Sequence, residues 1–212
     1  MSAKTFSAYL LDGATGQVVE AELWDAIAEQ QLSDWENEWM PALRAIMERM
    51  RVAGLGRDQF PQSSHWDWRR KVEHFRGLLA NPCFSVVCQG MTQGMMILDT
   101  LRRARLAPQY QKPIVYVEYL ENAPWNRRHH QPGEQPRFCG VGSLLMREAI
   151  ELSRREGFKG RVGLHALPQS IPFYVSHCGM VDLGTDASYQ SLRYLEMTPK
   201  QADAFITKGS KK

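Results

Sequence analysis

Between residues 136 and 143 the chain reads Pro-Arg-Phe-Cys-Gly-Val-Gly-Ser, so that Arg137-x-x-Gly140-x-Gly142 leads into a long amphipathic stretch. A strand, two glycines one residue apart and then a helix can grip a phosphate. The first amides of a helix lack intrahelical partners, and the aligned peptide dipoles place partial positive charge there. Glycine lets the backbone approach an anion closely. Arg137 would add a charge-assisted hydrogen bond, and Ser143 a first-turn donor. Two familiar phosphate loops are excluded. No Gly-Lys-Ser/Thr ending follows, as a P-loop requires, and position 145, where a dinucleotide fingerprint needs glycine, holds Leu145. Two glycines before a helix also make a plain turn, and spacing alone leaves that reading open.

Upstream, PIVYVEYLEN is the strongest β segment in the chain. Strand alternation puts Glu118 on one face with Tyr116, Leu120 and Asn122, and Glu121 on the other with Val115, Val117 and Tyr119. A carboxylate in a buried strand is costly without a partner or a purpose. Glu118 is therefore the first candidate for a base and Glu121 the second, and either also fits an ion pair with an arginine. His129-His130 fall in a polar loop with no nearby Cys or Asp pair, so no metal site is expected. His165, flanked by Leu164 and Ala166 in a strand, reads as a hydrogen-bonded core or pocket histidine. Trp125 and the Trp66, Trp68, Arg69, Arg70 cluster either line a groove or simply pack.

These residues need a scaffold. FSAYLL and QVVEAEL, separated by Asp12-Gly13-Ala14-Thr15-Gly16, predict a hairpin or a strand followed by a helix. Helical spacing of Trp35, Trp39, Leu43, Ile46, Met47 and Met50 predicts a helix over 33–51, started by Ser33-Asp34 and stopped by Gly54 and Gly56. A second helix is expected over about 66–79. CFSVVCQ, GMTQG and MMILDT read as strand, turn and strand. After PIVYVEYLEN comes WNRRHHQPGEQP, long enough by loop statistics to mark a functional or mobile segment. Next are a helix over about 142–156 burying Leu144, Leu145, Ala149, Ile150 and Leu152, a strand at RVGLHAL, a short helix around SIPFYVSH, and strands near MVDLG and YQSLRYLEMT.

With 212 residues, 43% hydrophobic and 23% charged, the chain can bury a sizeable core as one domain with an embellishment. Against 23 acidic residues stand 26 Lys and Arg, a net charge of only +3, so a polyanionic partner is not indicated while a small anion remains in scope. Helix-turn-helix is a poor reading of the two early helices, whose link is too long, and nucleic acid is not an expected partner. The four cysteines lack CxxC spacing and no signal segment opens the chain, which predicts reduced thiols and a cytoplasmic location. No apolar run approaches the roughly 20 residues of a membrane span.

Arg137-x-x-Gly140-x-Gly142 between a long strand and a helix resembles the acyl-CoA pyrophosphate loop of the GNAT superfamily of N-acetyltransferases. Two further stretches fall in the same order. FSVVCQGMTQGMMILD resembles the family's central hairpin. GLHAL followed by SIPFYVSHCGM resembles its later strand and Phe-Tyr-x-x-x-Gly-Phe helix, here with Phe173-Tyr174 and one extra residue before Gly179-Met180. The resemblance covers about 83–198, and it departs from the family where Gln169 and Ser170 replace a common asparagine and where the loop from Ala123 to Pro136 is unusually long.

The resemblance implies an α/β (α+β) fold, a mixed and mostly antiparallel central sheet flanked by helices, in a single GNAT-like domain. Residues 1–82 form its strand and helical N-terminal portion, 83–198 the acyl-CoA core, and 199–212 a short helix with a Lys-rich tail. It implies direct transfer of an acetyl group from acetyl-CoA to a primary amine, on a small molecule or a peptide, without a metal. A non-catalytic CoA-binding or protein-interaction module on the same fold is the alternative, and a homodimer is left open. Phe138, Cys139, Gly140, Val141, Gly142 and Ser143, with Arg137, would hold the pyrophosphate. Backbone groups of Leu120, Glu121, Asn122 and Ala123 would pair with the pantetheine arm. Tyr174 would donate a proton to the departing thiolate and Glu118 would serve as base. Direct transfer needs no acyl-enzyme, so Cys139 is not expected to be a nucleophile.

Overall fold

The computed structural model describes residues 3–127 and 135–209. His129 and His130 lie outside the described residues. Nine strands hydrogen-bond in the order β6-β1-β2-β3-β4-β5-β7-β9-β8. They are β1 (Thr5–Asp12), β2 (Val18–Trp24), β3 (Cys83–Cys88), β4 (Met91–Asp99), β5 (Val115–Asn122), β6 (Phe138–Cys139), β7 (Val162–Ala166), β8 (Val181–Asp186) and β9 (Leu192–Met197). The helices are α1 (Glu29–Asp34), α2 (Met40–Val52), α3 (Trp68–Phe75), α4 (Val141–Arg155) and α5 (Pro199–Gly209). The mixed, mostly antiparallel sheet flanked by helices is the expected fold class. The chain forms two compact units, one of residues up to Met96 with Leu120–Leu145, the other of Ile97–Tyr119 with residues from Met146 onward.

In the first unit, β1 and β2 form the antiparallel hairpin that the sequence offered as one of two readings, with Thr5 opposite Trp24 and Leu11 opposite Val18. Asp12 shapes its turn, accepting from the amides of Ala14 (3.0 Å) and Thr15 (2.8 Å). β2 continues antiparallel onto β3, and β6 adds to the other edge of β1 through Leu11–Cys139 and Asp12–Phe138. The first helix starts at Glu29, earlier than Ser33-Asp34 suggested. A π turn over Trp35–Trp39 separates α1 from α2, and Trp35, Trp39, Leu43, Ile46 and Met50 are all buried. Asp34 is not a cap: its carboxylate accepts from the amide (2.8 Å) and hydroxyl (2.6 Å) of Thr92. GMTQG is not a turn either. Gln89 (φ 52°) and Gly90 (φ 72°) make a two-residue hairpin turn, and β4 has begun by Met91. α3 is shorter than 66–79; Asp67 caps it through the Arg70 amide at 3.0 Å.

In the second unit, β5 and β7 pair in parallel over Val115–Val117 and Val162–Leu164, and β9 lies antiparallel to β7 and β8. The core here includes Ile97, Leu98, Ile114, Val115, Met146, Ile150, Leu164 and Leu195, all fully or almost fully buried. Met146 takes the buried position expected of Leu144, which is half-buried. The Glu196 carboxylate is wholly buried and fully satisfied by the Arg105 amide, the Leu106 amide (3.0 Å), Gln109 Nε2 (2.9 Å) and Tyr194 OH (2.8 Å). It pins the segment between β4 and β5. Thr198 and Gln201 form a capping pair at the start of α5, where Pro199 takes the first helical position. Among the described residues no helix is long and apolar enough to cross a membrane, and the four cysteines are free thiols.

Candidate functional site

In the first unit, the chain at the end of β5, through β6 and at the start of α4 carries eleven of the thirteen residues that the resemblance assigns to ligand and catalysis. Pro124 ends β5 by opening a 3-10 turn over Pro124–Asn126. Before it, the Ala123 amide still donates to the Gln93 carbonyl at 2.9 Å. The Asn122 Oδ1 is buried and has no hydrogen-bond partner among the described residues. Glu121 is buried, and both carboxylate oxygens are taken: Oε2 accepts from Trp68 Nε1 at 2.5 Å and Oε1 from Arg127 Nη2 at 2.5 Å. Arg127 also reaches the Asn122 carbonyl (3.1 Å) and Ser63 Oγ (3.0 Å). Glu121 thus ties the end of β5 to α3.

Trp68 is fully buried, while Arg69 bridges Glu29 (2.7 Å) and Glu36 (2.5 Å). That part of the Trp-Arg cluster is packing and inter-helix pairing. Lys71 lies 4.8 Å over the Trp66 ring, and burial lowers its amine to a pKa of about 8 against the opposing pull of Glu121 and Asp67.

Phe138 and Cys139 form β6, Gly140 takes φ +98°, and α4 begins at Val141. A residue with a Cβ is strained at that φ, although the nearest atom to such a Cβ would be Leu10 Cδ2 at 3.9 Å. Gly140 is therefore needed for its backbone conformation. Leu144 N closes the first helical turn on the Gly140 carbonyl at 2.8 Å. The helix start packs tightly against β4, since a Cβ on Gly94 would lie 2.6 Å from Val141 Cγ1 and 3.0 Å from Leu145 Cδ1. Arg137 is exposed, with Nη2 3.2 Å from Gln89 Oε1.

The second unit carries Glu118 and Tyr174. Glu118 Oε1 accepts from Arg102 Nη2 at 2.7 Å, and the same guanidinium binds Asp99 (2.8 Å) and Tyr189 OH (2.7 Å). The guanidinium carbon sits 5.0 Å over the Tyr116 ring. Tyr174 lies in a π turn over Phe173–His177, closed by Cys178 N on the Phe173 carbonyl at 3.0 Å. The wider turn accommodates the residue by which this stretch exceeds Phe-Tyr-x-x-x-Gly. Burial pushes the Tyr174 phenol well above its ordinary range, and nearby Cys178 adds to the shift. It remains a proton donor at neutral pH.

His165 is the buried, hydrogen-bonded histidine expected of it. Nε2 lies 3.0 Å from Asp186 Oδ2 and Nδ1 2.5 Å from Tyr116 OH, and the ring stacks on Tyr189 at 3.9 Å. An ionised Asp186 only accepts, so Nε2 carries the proton and Nδ1 receives the tyrosine hydroxyl. Burial lowers its pKa, with Asp186 pulling the other way.

Sequence reasoning missed Gln93, Asn126, Arg102 and Arg127. Gln93 fell in a supposed turn and the other three in loops, where local pattern carries no pairing signal.

No family model matches the chain, and no curated protein does. Solved structures do. Mycobacterium smegmatis RimJ in complex with CoA-disulfide aligns with 97% of this chain and 95% of its own, at a TM-score of 0.50 and 11% identity. The PaiA N-acetyltransferase of Thermoplasma acidophilum, in complex with coenzyme A, aligns over 84% and 98%, at 0.48 and 13%. For the GNAT domain of S. lividans PAT the values are 90% and 96%, 0.49 and 12%. Identity this low speaks to fold alone, and the argument rests on the first of these, which spans nearly the whole chain. With its strand order, its glycine-led helix and that alignment together, the chain has the fold of the GNAT acetyltransferases.

Proposed function

We propose that the protein is an acetyl-CoA-dependent N-acetyltransferase acting on a primary amine, carried by a small molecule or a peptide, in a ternary complex. The start of α4 carries the reading: Gly140 at φ +98° hands over to first-turn amides, with Arg137 beside them. Such a terminus suits a pyrophosphate on geometry and charge.

When bound, acetyl-CoA supplies an activated acetyl thioester. Phe138, Cys139, Gly140, Val141, Gly142 and Ser143, with Arg137, would hold its pyrophosphate, and backbone groups of Leu120, Glu121, Asn122 and Ala123 its pantetheine arm. Tyr174, kept as a phenol by burial, would protonate the leaving thiolate. Glu118 would take the proton from the incoming amine, with Arg102 fixing its orientation at 2.7 Å. Glu121 is the weaker candidate because Trp68 and Arg127 already occupy its oxygens.

Calorimetry with acetyl-CoA, followed by mass-spectrometric assay of an amine panel, tests the reading. Binding with acetyl transfer supports it, and no binding at millimolar acetyl-CoA rejects it. One observation favours a second reading, a CoA-binding module without catalysis. Both β5 carboxylates are ion-paired, to Arg102 and Arg127. Acetyl-CoA binding without turnover on any amine would select that alternative.

A further inference from the structure

A chain of buried hydrogen bonds starts on β4 and ends on the backbone two residues ahead of Gly140. Gln93 is completely buried. Its Nε2 donates to the carbonyls of Met91 (3.0 Å) and Cys88 (3.3 Å), which decides the orientation of the amide. Its Oε1 accepts from Trp125 Nε1 at 2.9 Å and from Asn126 Nδ2 at 2.8 Å. With Nδ2 so committed, Asn126 turns Oδ1 to accept from the Phe138 amide at 2.9 Å. The backbone strengthens the link, since Arg137 N donates to the Trp125 carbonyl at 3.0 Å and Gly13 N to the Arg137 carbonyl at 2.9 Å.

The residues joined, Trp125-Asn126 and Arg137-Phe138, are the two ends of the long segment between β5 and β6. A long connection closes at an entropic cost that rises with its length, and it positions its ends poorly unless other groups hold them. Here the Gln93–Asn126 pair holds them. Buried amides need all their partners, so neither side chain can relax into another arrangement without leaving a polar atom unpaired.

We infer that Asn126, oriented by Gln93, is a positioning residue that sets the conformation of the Arg137–Ser143 segment for its phosphate ligand, an inference that rests on the acetyl-CoA reading above. Asn126 acts only through the Phe138 backbone.

Two variants separate this role from packing. Asn126→Leu keeps the branched outline and removes both the acceptor and the donor, and Asn126→Asp keeps an oxygen toward Phe138 N while losing the donor to Gln93 Oε1. Hydrogen exchange at the Phe138 amide is followed in ligand-free protein, and the Kd for acetyl-CoA is measured by calorimetry. Losing one buried acceptor should speed exchange and weaken binding about tenfold in Asn126→Leu. Asn126→Asp should recover part of the Phe138 protection only, because an acceptor remains but the donor to Gln93 Oε1 that orients the side chain is lost. Wild-type exchange and affinity in Asn126→Leu would overturn the inference. A wild-type protein that binds no acetyl-CoA sinks the proposed activity, and the exchange measurement still decides whether Asn126 holds the segment.

Discussion

Tyr174, Lys71 and Glu118 show how far single residues depend on their surroundings. Burial holds the Tyr174 phenol above its ordinary range, so the group can lose its hydroxyl without changing local charge. Tyr174→Phe should lower turnover on an accepted amine by about 10- to 100-fold, the scale of general-acid loss, and leave the Kd for acetyl-CoA unchanged. Steady-state kinetics beside calorimetry checks this, and an unaltered turnover removes Tyr174 as the donor. Lys71 offers a pH test. Its lowered pKa of about 8 means that its amine is largely neutral by pH 9, when ordinary lysines are still charged. Trace acylation across pH 6 to 11 should give Lys71 a reactivity midpoint near pH 8, and a midpoint near 10.5 would contradict it. That Glu118 stood in a buried strand was legible in the sequence; that Arg102 is its partner was not, because the two meet only once the segment between β4 and β5 has folded back.

At the scale of elements, α4 depends on two glycines for different reasons. Gly140 is required for its φ, so Gly140→Ala should cost about 1 kcal/mol in stability from backbone strain. It should also weaken acetyl-CoA binding; chemical denaturation and calorimetry together check both effects. Gly94 is required for space. An alanine there drives its methyl into Val141 and Leu145, and should cost about 1–3 kcal/mol by overpacking. A Gly94→Ala protein as stable as wild type would mean that the helix start shifts freely against β4. Periodicity made the helices and the main strands legible, since each is set by neighbours three or four residues away, or two. The turn at Gln89-Gly90 was misread because Gly94, which packs against a helix, resembles a turn glycine in a local window.

Taken as a whole molecule, the chain buries several polar groups whose protonation links folding to pH. His165 is the clearest. Its folded pKa is lowered, so an unfolded chain takes up a proton near pH 6.5 that the folded chain still refuses. Stability should therefore fall as pH drops through and below 6.5, because the unfolded state binds more protons there. In His165→Gln the slope of stability against pH between 7 and 5 should be shallower. Equal slopes in urea melts of the two proteins would exclude this contribution.

The amino-acid sequence by itself determined the local conformations. Glycines open α4, Pro124 ends β5, and an extra residue after Phe173-Tyr174 is taken up by a π turn, each a matter of sterics among neighbours. Only the tertiary structure decided the pairings that give those segments their roles: Glu121 with Trp68, Asn126 with Gln93, Glu196 with Gln109. Each joins residues tens of positions apart. Such contacts depend on how the chain closes on itself, and no local window of residue types carries that information.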